Sequence, residues 1–370
     1  MAAWIGVGLA WLAAGLAGLL VLVTLLPFLR APHGAIRSWD FPRLQIMGLA
    51  ICLVPLLALL PDPPLGPGLA VAMLAVAAVQ AAHVLRFTPL WPAQSPRPER
   101  EDPSAQVSLL SANVKLSNRA HHRLIELVRA ERPDIVMAIE VDAAWTRALE
   151  ALHPDYPQRI VHPLDNGYGM ALLSRLRIEE HELRELLVEK VPSIRAALRL
   201  RNGGLFRLYV VHPEPPVPNH DSEGRDAEIG LVGMEAARDP LPCVVAGDLN
   251  DVAWSRTTRR FQRLSGLLDP RVGRGFFNSF DARCPLLRWP LDHLFHDPRF
   301  RLVEMRRLPD IGSDHFPMLF RLQLSPVAHG EEPEAATAGD RAGIREMAAS
   351  EAARNREAVG SDWEDEAKDG

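Results

Sequence analysis

The chain has 370 residues and 48% hydrophobic residues, enough for roughly two or three structural units. Its net charge of −5 is unevenly distributed, with −7 on residues 325–370, +3 on residues 1–100 and −1 on the residues between them. The middle region therefore lacks the positive charge expected of a protein that binds long nucleic acid. The 3 cysteines have no paired spacing, which excludes a cysteine zinc site.

Three apolar runs come first in the chain, at residues 2–29, 44–60 and 65–85, and none contains a charged residue. Their lengths predict three membrane-spanning helices within a membrane region of residues 1–88. A cleaved signal peptide is the alternative for the first run, but the run lacks a basic start and two more follow it. Arginines between the first two runs favour a cytoplasmic position for that loop, and hence for the C-terminal part of this multi-pass cell-membrane protein.

Two polar segments flank the rest of the chain. Residues 89–106 are rich in proline and are expected to form a semi-rigid linker that holds the next unit off the membrane. Residues 325–370 are acidic, with little apolar area, and are expected to be disordered. Residues 107–324 are left as a separate globular unit.

Short apolar runs bounded by turns fill that unit, and strands outnumber helices. Strands are predicted at 107–112, 135–139, 168–173, 194–200, 205–211, 243–246, 290–295, 300–305 and 316–324, and helices at 118–132, 143–152 and 223–238. The predicted class is α+β, with two packed, mainly antiparallel sheets and the helices outside them.

Polar side chains stand where several of these strands end. The sequence Gly247-Asp248-Leu249-Asn250 follows an apolar run, and its acid and amide point the same way because side chains alternate along a strand. Such a pair suits a divalent cation and a phosphate oxygen. The sequence Ser313-Asp314-His315 repeats this chemistry before the last strand, and Asn113 and Glu140 end two earlier strands. A carboxylate at the end of a buried strand is costly unless it is paired or binds a cation.

Each of these residues also has a purely structural interpretation. Asp248 suits a turn or a helix N-cap, and Glu140 suits the cap of the following helix. His212 could simply end a strand, Asp292 could lie in a surface turn, and Tyr168 could pack in the core.

Taken in order, these motifs resemble the endonuclease/exonuclease/phosphatase superfamily, which includes DNase I, abasic-site endonucleases, inositol-polyphosphate 5-phosphatases and neutral sphingomyelinases. The chain looks like a membrane-anchored, bacterial-type member. The resemblance covers about 107–324 and implies a four-layered α/β sandwich that hydrolyses phosphoesters with Mg²⁺ or Mn²⁺. The matching set is Asn113, Glu140, His212, Gly247-Asp248-Leu249-Asn250, Leu291-Asp292-His293 and Ser313-Asp314-His315.

The resemblance implies a role for each matched position. Glu140 is expected to be the main metal ligand, with Asn113 supplying a neutral oxygen and Asp314 supporting the metal. Asp248 is expected to orient or deprotonate the attacking water, with Asn250 holding the phosphate or Asp248 itself.

The remaining matched residues face the substrate. His315 is expected to meet the phosphate oxygens while Asp292 fixes its tautomer, and His212 to lie near the leaving oxygen. Tyr168 lies where the family has a strand that lines the site. Lys115 departs from the family, because several nucleases have an acid there, and it is expected to contact a substrate phosphate instead.

The predicted function is a membrane-anchored, metal-dependent phosphodiesterase or phosphatase. The near-neutral charge and the small catalytic unit favour lipid-derived or small soluble phosphoesters over long nucleic acid, and the lipid bilayer is the other expected partner. The alternatives are a membrane-tethered nuclease acting on DNA or RNA and a catalytically silent membrane binding module.

Overall fold

Two mixed β-sheets pack face to face at the centre of the structure, a computed structural model that describes residues 2–29, 31–59, 66–330, 333–354 and 356–360. The first sheet has the order β10-β11-β1-β2-β4-β3 and the second has the order β5-β6-β7-β8-β9. The strands are β1 (Gln106–Asn113), β2 (Ile135–Ile139), β3 (Gln158–His162), β4 (Met170–Ser174), β5 (Arg177–Glu185), β6 (Pro192–Arg199), β7 (Leu205–Val210), β8 (Cys243–Asp248), β9 (Asp292–His296), β10 (Phe300–Arg307) and β11 (Met318–Leu324).

Nine helices are described: α1 (Ala2–Leu25), α2 (Gly34–Arg37), α3 (Arg43–Leu59), α4 (Gly66–Val84), α5 (His121–Glu131), α6 (Ala143–Leu149), α7 (Glu223–Ala236), α8 (Arg256–Ser265) and α9 (Ala338–Ala352). Helices α5 and α6 cover the outer face of the first sheet, and α7 and α8 cover that of the second. The predicted α+β four-layered sandwich of two mainly antiparallel sheets is therefore confirmed.

The central strands are buried on both faces, which explains why they read as continuous apolar runs in the sequence. In β1, Val107 and Leu109 point into the core between the sheets, while Leu110 and Ala112 point toward α5 and α6. Charged residues are therefore expected mainly where such a strand ends, and there they need a partner or a bound cation.

Two parallel strand pairs determine where the carboxyl ends of the central strands lie. Strand β1 pairs in parallel with β2, placing Asn113 beside Ile139, and β7 pairs in parallel with β8, placing Val210 beside Ala246. The remaining pairs are antiparallel. The carboxyl ends of all four strands consequently open on one edge of the sandwich.

Three elements of the catalytic unit were not predicted. Strands β3 and β5 lie at sheet edges, and β5 is largely exposed, so neither shows a clear apolar pattern. Helix α8 has the mostly polar sequence of residues 256–265 and buries only Phe261 and Leu264 among its apolar side chains.

The tail differs from the expectation that residues 325–370 are disordered. Helix α9 lies within it and packs on α7, and its buried Ile344 fills the space beside Gly230. A Cβ atom at position 230 would lie 2.2 Å from the Ile344 side chain, so the contact requires glycine there. The helix has few apolar residues and is held also by ion pairs, such as that of Arg263 Nη2 with Asp340 Oδ1 at 2.9 Å, so its sequence shows no clear apolar pattern. Residues 361–370 lie outside the described residues.

Helices α1, α3 and α4 pack against one another. Residues Val7–Leu29 and Gly66–Phe87 are each long and apolar enough to cross a membrane. A third span exists if residues Gly34–Asp40 and Arg43–Leu59, which are bent by 66°, count as one. Arg30 and the loop 60–65, whose charges were used to predict which loop is cytoplasmic, lie outside the described residues.

The loop between α1 and α3 packs directly onto the catalytic unit, in contrast to the expectation that a linker keeps the two parts separate. The Gly34 N–H donates to the His220 carbonyl at 2.8 Å, and the Trp254 Nε1–H donates to the Asp40 carbonyl at 2.7 Å. Residues Val84 and Phe87 at the end of α4 join the same apolar cluster as Trp254. Residues of the predicted linker contact the unit as well: Ser95 Oγ lies 2.7 Å from His296 Nε2, and the Asp269 N–H donates to Gln94 Oε1 at 2.9 Å. The domain limits 1–88, 89–106, 107–324 and 325–370 stay a prediction.

Arg37 is the central charged group of this contact. Its Nη2 atom donates to Thr257 Oγ1 at 2.7 Å and lies 3.7 Å from Asp226 Oδ2 and 3.9 Å from Asp251 Oδ2. Thr257 and Asp251 are buried, and Asp226 is partly buried. We expect Arg37→Met to lower the free energy of unfolding by about 3 kcal/mol, because it leaves buried carboxylates short of positive charge. Urea unfolding of the detergent-solubilised full chain measures this change. Arg238→Met, at an exposed arginine, is the control, and equal stability of the two variants would contradict the prediction.

Candidate active site

A cavity of about 340 Å³ opens at the edge where the strand ends meet. Eight of the ten predicted site residues line it, while Asn113 and Asp292 lie behind it and contact lining residues. The eight are Lys115, Glu140, Tyr168, His212, Asp248, Asn250, Asp314 and His315. The fold thus brings together side chains that lie up to 200 positions apart in the sequence.

A histidine between two carboxylates forms the base of the cavity. His315 Nδ1 lies 2.8 Å from Asp292 Oδ2, and His315 Nε2 lies 3.4 Å from Asp248 Oδ2. Asp248 and Asp292 are opposite residues in the β8–β9 pair, so the sheet register fixes their separation. The predicted contact between Asp292 and His315 is present in the structure.

The three groups shift one another's pKa values. Burial alone would lower the pKa of His315, but the carboxylates of Asp292 and Asp248 outweigh it and raise the pKa to about 10. Burial raises the pKa of Asp248 to about 6, although the charge of His315 opposes the change. Burial also acts to raise the pKa of Asp292, but the charge of His315 and its hydrogen bond lower it. His315 is therefore a cation at neutral pH.

Glu140 lies beside this group and is held by neutral donors. The Asn113 Nδ2–H₂ group donates to Glu140 Oε1 at 2.6 Å and to Asp248 Oδ2 at 3.2 Å, and the Leu116 N–H donates to Glu140 Oε2 at 3.1 Å. Burial raises the pKa of Glu140 to about 7 despite these hydrogen bonds. Asn113 Oδ1 accepts from the Lys115 N–H, so its predicted role as a metal ligand stays a prediction.

Backbone conformation at the site is unusual for the residue types present. Lys115, Glu140 and Asn250 all have positive φ, at 58°, 63° and 51°. Non-glycine residues adopt this region rarely and at a cost that surrounding structure must offset, and such residues cluster at functional sites. Gly247 allows the close approach of two strands, since a Cβ atom there would lie 2.0 Å from the Val211 carbonyl oxygen.

Asp314 faces two cations. Lys115 Nζ donates to Asp314 Oδ2 at 2.8 Å, and Arg283 Nη2 lies 3.7 Å from the same oxygen. The cationic side chain of Lys115 thus lines the cavity beside Asp314. Sequence analysis identified Lys115 but not Arg283, which lies in a loop without apolar pattern.

His212 and Tyr168 form another wall of the cavity, with ring centroids 5.4 Å apart. Burial lowers the pKa of His212 to about 3, so its imidazole is neutral. Within the described part of the chain, His212 Nδ1 is buried without a hydrogen-bond partner. A buried ring nitrogen without a partner is a candidate for bonding a bound molecule. Burial also raises the pKa of Tyr168 well above its ordinary value, so the phenol stays protonated.

The carboxylates at the cavity fit a single hydrated divalent cation. Among the described residues, no group of three or more His, Cys, Asp or Glu side chains is placed to enclose a metal ion. Mg²⁺, however, keeps several water ligands and is usually held by one or two carboxylates together with substrate phosphate. Glu140 and Asp314 supply such carboxylates, and the raised pKa of Glu140 shows that its charge is poorly compensated.

Sequence analysis missed two segments that line the cavity. Phe41 reaches it from the loop between α1 and α3, and Val359 reaches it from the tail. The Val359 N–H donates to Glu214 Oε1 at 2.8 Å, and its carbonyl accepts from the Tyr168 hydroxyl. Arg356 also pairs with Glu214, at 2.7 Å. In the sequence, the one feature that could have indicated this contact of the tail is Glu214, an acid two residues after His212.

Comparisons with known proteins agree with this geometry. The sequence model of the Endonuclease/Exonuclease/phosphatase family matches residues 110–315, which include every predicted site residue. A search of curated proteins gives no match.

Solved structures support the fold. The crystal structure of humanized D. rerio TDP2 by 14 mutations aligns with a TM-score of 0.51 and 19% identity, over 60% of this chain and 100% of that one. D. rerio TDP2 complexed with single strand DNA product aligns with a TM-score of 0.50 and 18% identity, over 59% and 99%. At these identities the likeness concerns the fold alone.

Removing the carboxylate behind His315 tests the electrostatics of the cluster. We expect Asp292→Asn to lower the pKa of His315 from about 10 toward neutrality, because its strongest counter-charge is lost. The stability that charged His315 contributes is complete below about pH 6.5 and is lost as the pH rises through about 10, so the variant should lose it at lower pH. Nuclear magnetic resonance of labelled histidines follows the titration, with His315→Gln to assign the signal. Asp310→Asn, at an exposed carboxylate, is the control, and an unchanged pKa in Asp292→Asn would refute the pairing.

Proposed function

Since the chain belongs to the endonuclease/exonuclease/phosphatase family, whose members are generally hydrolases of phosphoester bonds, we propose that it is a membrane-anchored phosphoester hydrolase that depends on a divalent metal ion. The observation that carries the proposal is the Asp248–His315–Asp292 chain beside Glu140 at one cavity. This arrangement combines a proton acceptor, a fixed cation and a poorly compensated carboxylate within one small volume.

Glu140 and Asp314 would hold Mg²⁺ or Mn²⁺. When bound, such an ion neutralises charge on the phosphate and makes its phosphorus easier to attack. The cationic side chain of Lys115 beside Asp314 then supplies a further contact for a phosphate oxygen.

Asp248 is the proposed acceptor of the proton from the attacking water. Its raised pKa, near 6, places it close to the range where a general base is effective at neutral pH. The Asn250 N–H donates to Asp248 Oδ1 at 2.8 Å and fixes the carboxylate, and Asn250 Nδ2 donates to the Pro213 carbonyl at 2.9 Å. Water oxygen bonds to phosphorus, the ester bond to the leaving oxygen breaks, and the water proton passes to Asp248. The leaving oxygen takes up a proton from solvent, and Asp248 later releases its own.

His315 and His212 have different roles in this proposal because their charges differ. His315 is cationic and would donate through Nε2 to the non-bridging phosphate oxygens, where negative charge grows as the bond forms. Neutral His212, with Tyr168 beside it, would orient the leaving oxygen. Asp292 acts only through His315.

Membrane anchoring is supported by the two apolar helical stretches that are long enough to cross a bilayer. Anchoring gives substrates confined to the same membrane a high effective concentration at the site. We therefore propose lipid-derived or small soluble phosphoesters as substrates. The excess of arginines in the loop between the first two apolar runs favours a cytoplasmic position for the catalytic unit.

Metal dependence is tested with the full chain in detergent and bis(p-nitrophenyl) phosphate. We expect a chelator to abolish hydrolysis and Mg²⁺ or Mn²⁺ to restore it. Glu140→Gln should lower hydrolysis by about 100-fold or more and weaken Mn²⁺ binding measured by electron paramagnetic resonance. Glu150→Gln, at an exposed glutamate, is the control. Full activity in Glu140→Gln, or after complete chelation, would end the proposal.

The alternatives are separated by a substrate panel, with Glu140→Gln as the blank. It contains plasmid DNA, single-stranded RNA, phospholipid vesicles and soluble headgroup phosphates. We expect lipid or headgroup phosphoesters to be hydrolysed faster than DNA, because the near-neutral catalytic unit has little affinity for a polyanion at physiological salt. Cleavage of nucleic acid alone would establish the nuclease, and no hydrolysis of any substrate would favour a silent binding module.

A further inference from the structure

A loop of residues 281–288, here the 281–288 loop, projects beside the membrane region. Its base is closed by the Phe280–Trp289 bridge and by the Asp281 N–H, which donates to the Leu287 carbonyl at 3.1 Å. Leu286 and Leu287 at its tip are 81% and 47% exposed. Two adjacent exposed leucines on a well-closed loop mark a surface that suits an apolar partner.

The position of the tip indicates which partner it meets. Gln45 Nε2 donates to the Leu286 carbonyl at 2.8 Å, and Gln45 lies in the first turn of α3, where that helix enters the apolar bundle. Exposed Phe28 and Leu29 lie at the end of the first span, on the same side of the bundle. The tip is therefore level with the ends of the proposed spans, at the height of the lipid headgroups.

Basic residues flank the apolar tip. Arg283 is 61% exposed and Arg288 stacks over the Phe316 ring with its guanidinium carbon 4.9 Å from the ring centroid. Arginine beside exposed leucine suits a surface that carries both acyl chains and phosphate. Arg283 also lies 3.7 Å from Asp314, so the loop extends to the catalytic cluster itself.

An aromatic wall joins the tip to the cavity. Trp289 stacks on Phe280 at 6.3 Å between ring centroids and meets Phe41 edge-on at 5.8 Å. Phe41 and Phe280 both line the cavity, and the Phe280 ring lies 4.9 Å from that of His315. An apolar surface thus runs from the exposed leucines to the proposed reacting groups.

We propose that the 281–288 loop contacts the bilayer that holds the spans and that the substrate is a phospholipid which stays in this bilayer during hydrolysis. Acyl chains remain among the lipids, the aromatic wall covers the glycerol region, and the headgroup phosphate reaches the cluster at His315. The inference rests on the proposed function and narrows its substrate. A duplex nucleic acid has a charged surface and would make no favourable contact with the apolar tip.

The test compares two forms of the same phosphoester with the full chain in proteoliposomes. One is long-chain phosphatidylglycerol, phosphatidylcholine or phosphatidic acid in the bilayer, and the other is the water-soluble dibutyryl form. We expect Leu286→Ser/Leu287→Ser to lower hydrolysis of the bilayer form about tenfold or more, and of the soluble form less than twofold. Leu183→Ser, at a 38% exposed leucine on the edge strand β5, is the matched control and should alter neither.

A second measurement reports on the contact without catalysis. Cys284 lies in the loop and accepts an environment-sensitive fluorophore, once Cys52→Ala has removed the other accessible thiol; Cys243 is buried. Lipids with a nitroxide near the headgroup should quench this fluorophore in proteoliposomes, and the double serine variant should reduce quenching.

The outcomes separate the two proposals. Hydrolysis of soluble phosphoesters without hydrolysis of any bilayer lipid, equal losses on both forms in the double variant, or an unquenched loop would each overturn the bilayer inference while the hydrolase stands. Quenching without hydrolysis of any substrate would instead refute the proposed function.

Discussion

The main constraint on this structure is the concentration of buried carboxylates at one edge of the sandwich. Parallel pairing brings the strand ends together. Asp248 and Asp292 lie there with almost no exposure to water, and Glu140 lies beside them, partly buried at the cavity. Buried charges of like sign are tolerated only where a cation or strong donors offset them. His315 serves both aspartates and is held as a cation by them. Glu140 receives only neutral donors, so it is the carboxylate at which a divalent ion adds most to the stability of the cluster.

The same constraint ties the membrane region to the catalytic unit. Asp251, which directly follows Asn250, is buried beside Arg225 and beside Arg37 from the loop between α1 and α3. Arg225 also donates to the Asn250 carbonyl at 2.9 Å. A charge supplied by the membrane region therefore stabilises the segment that carries the proposed base Asp248. This contact and the proposed site therefore share one group of charges, so we expect loss of Arg37 to disturb the cavity as well.

Elements with a local sequence pattern could be predicted, and those that depend on contacts between distant residues could not. Apolar runs marked the central strands because both faces are buried, and polar residues such as Glu140 and Asp248 marked where two of those strands end. Edge strands such as β5 are largely exposed, so their sequences do not show an apolar run between polar ends. Helix α9 docks through Ile344 against Gly230, more than 100 positions earlier, and Phe41 reaches a cavity otherwise built from residues beyond position 114. Contacts of this kind depend on tertiary structure, and no local pattern reveals them.

Those long-range contacts also explain why family membership predicts the reaction better than the substrate. The proposed reacting groups lie inside residues 110–315, the segment that matches the family, whereas Phe41 and Val359 come from outside it. Both line the cavity, so its shape is set partly by segments specific to this chain. A fold shared by many specificities provides the hydrolytic cluster. Under the proposed function, the walls built from the loop between α1 and α3 on one side and from the tail on the other would select which phosphoester reaches it.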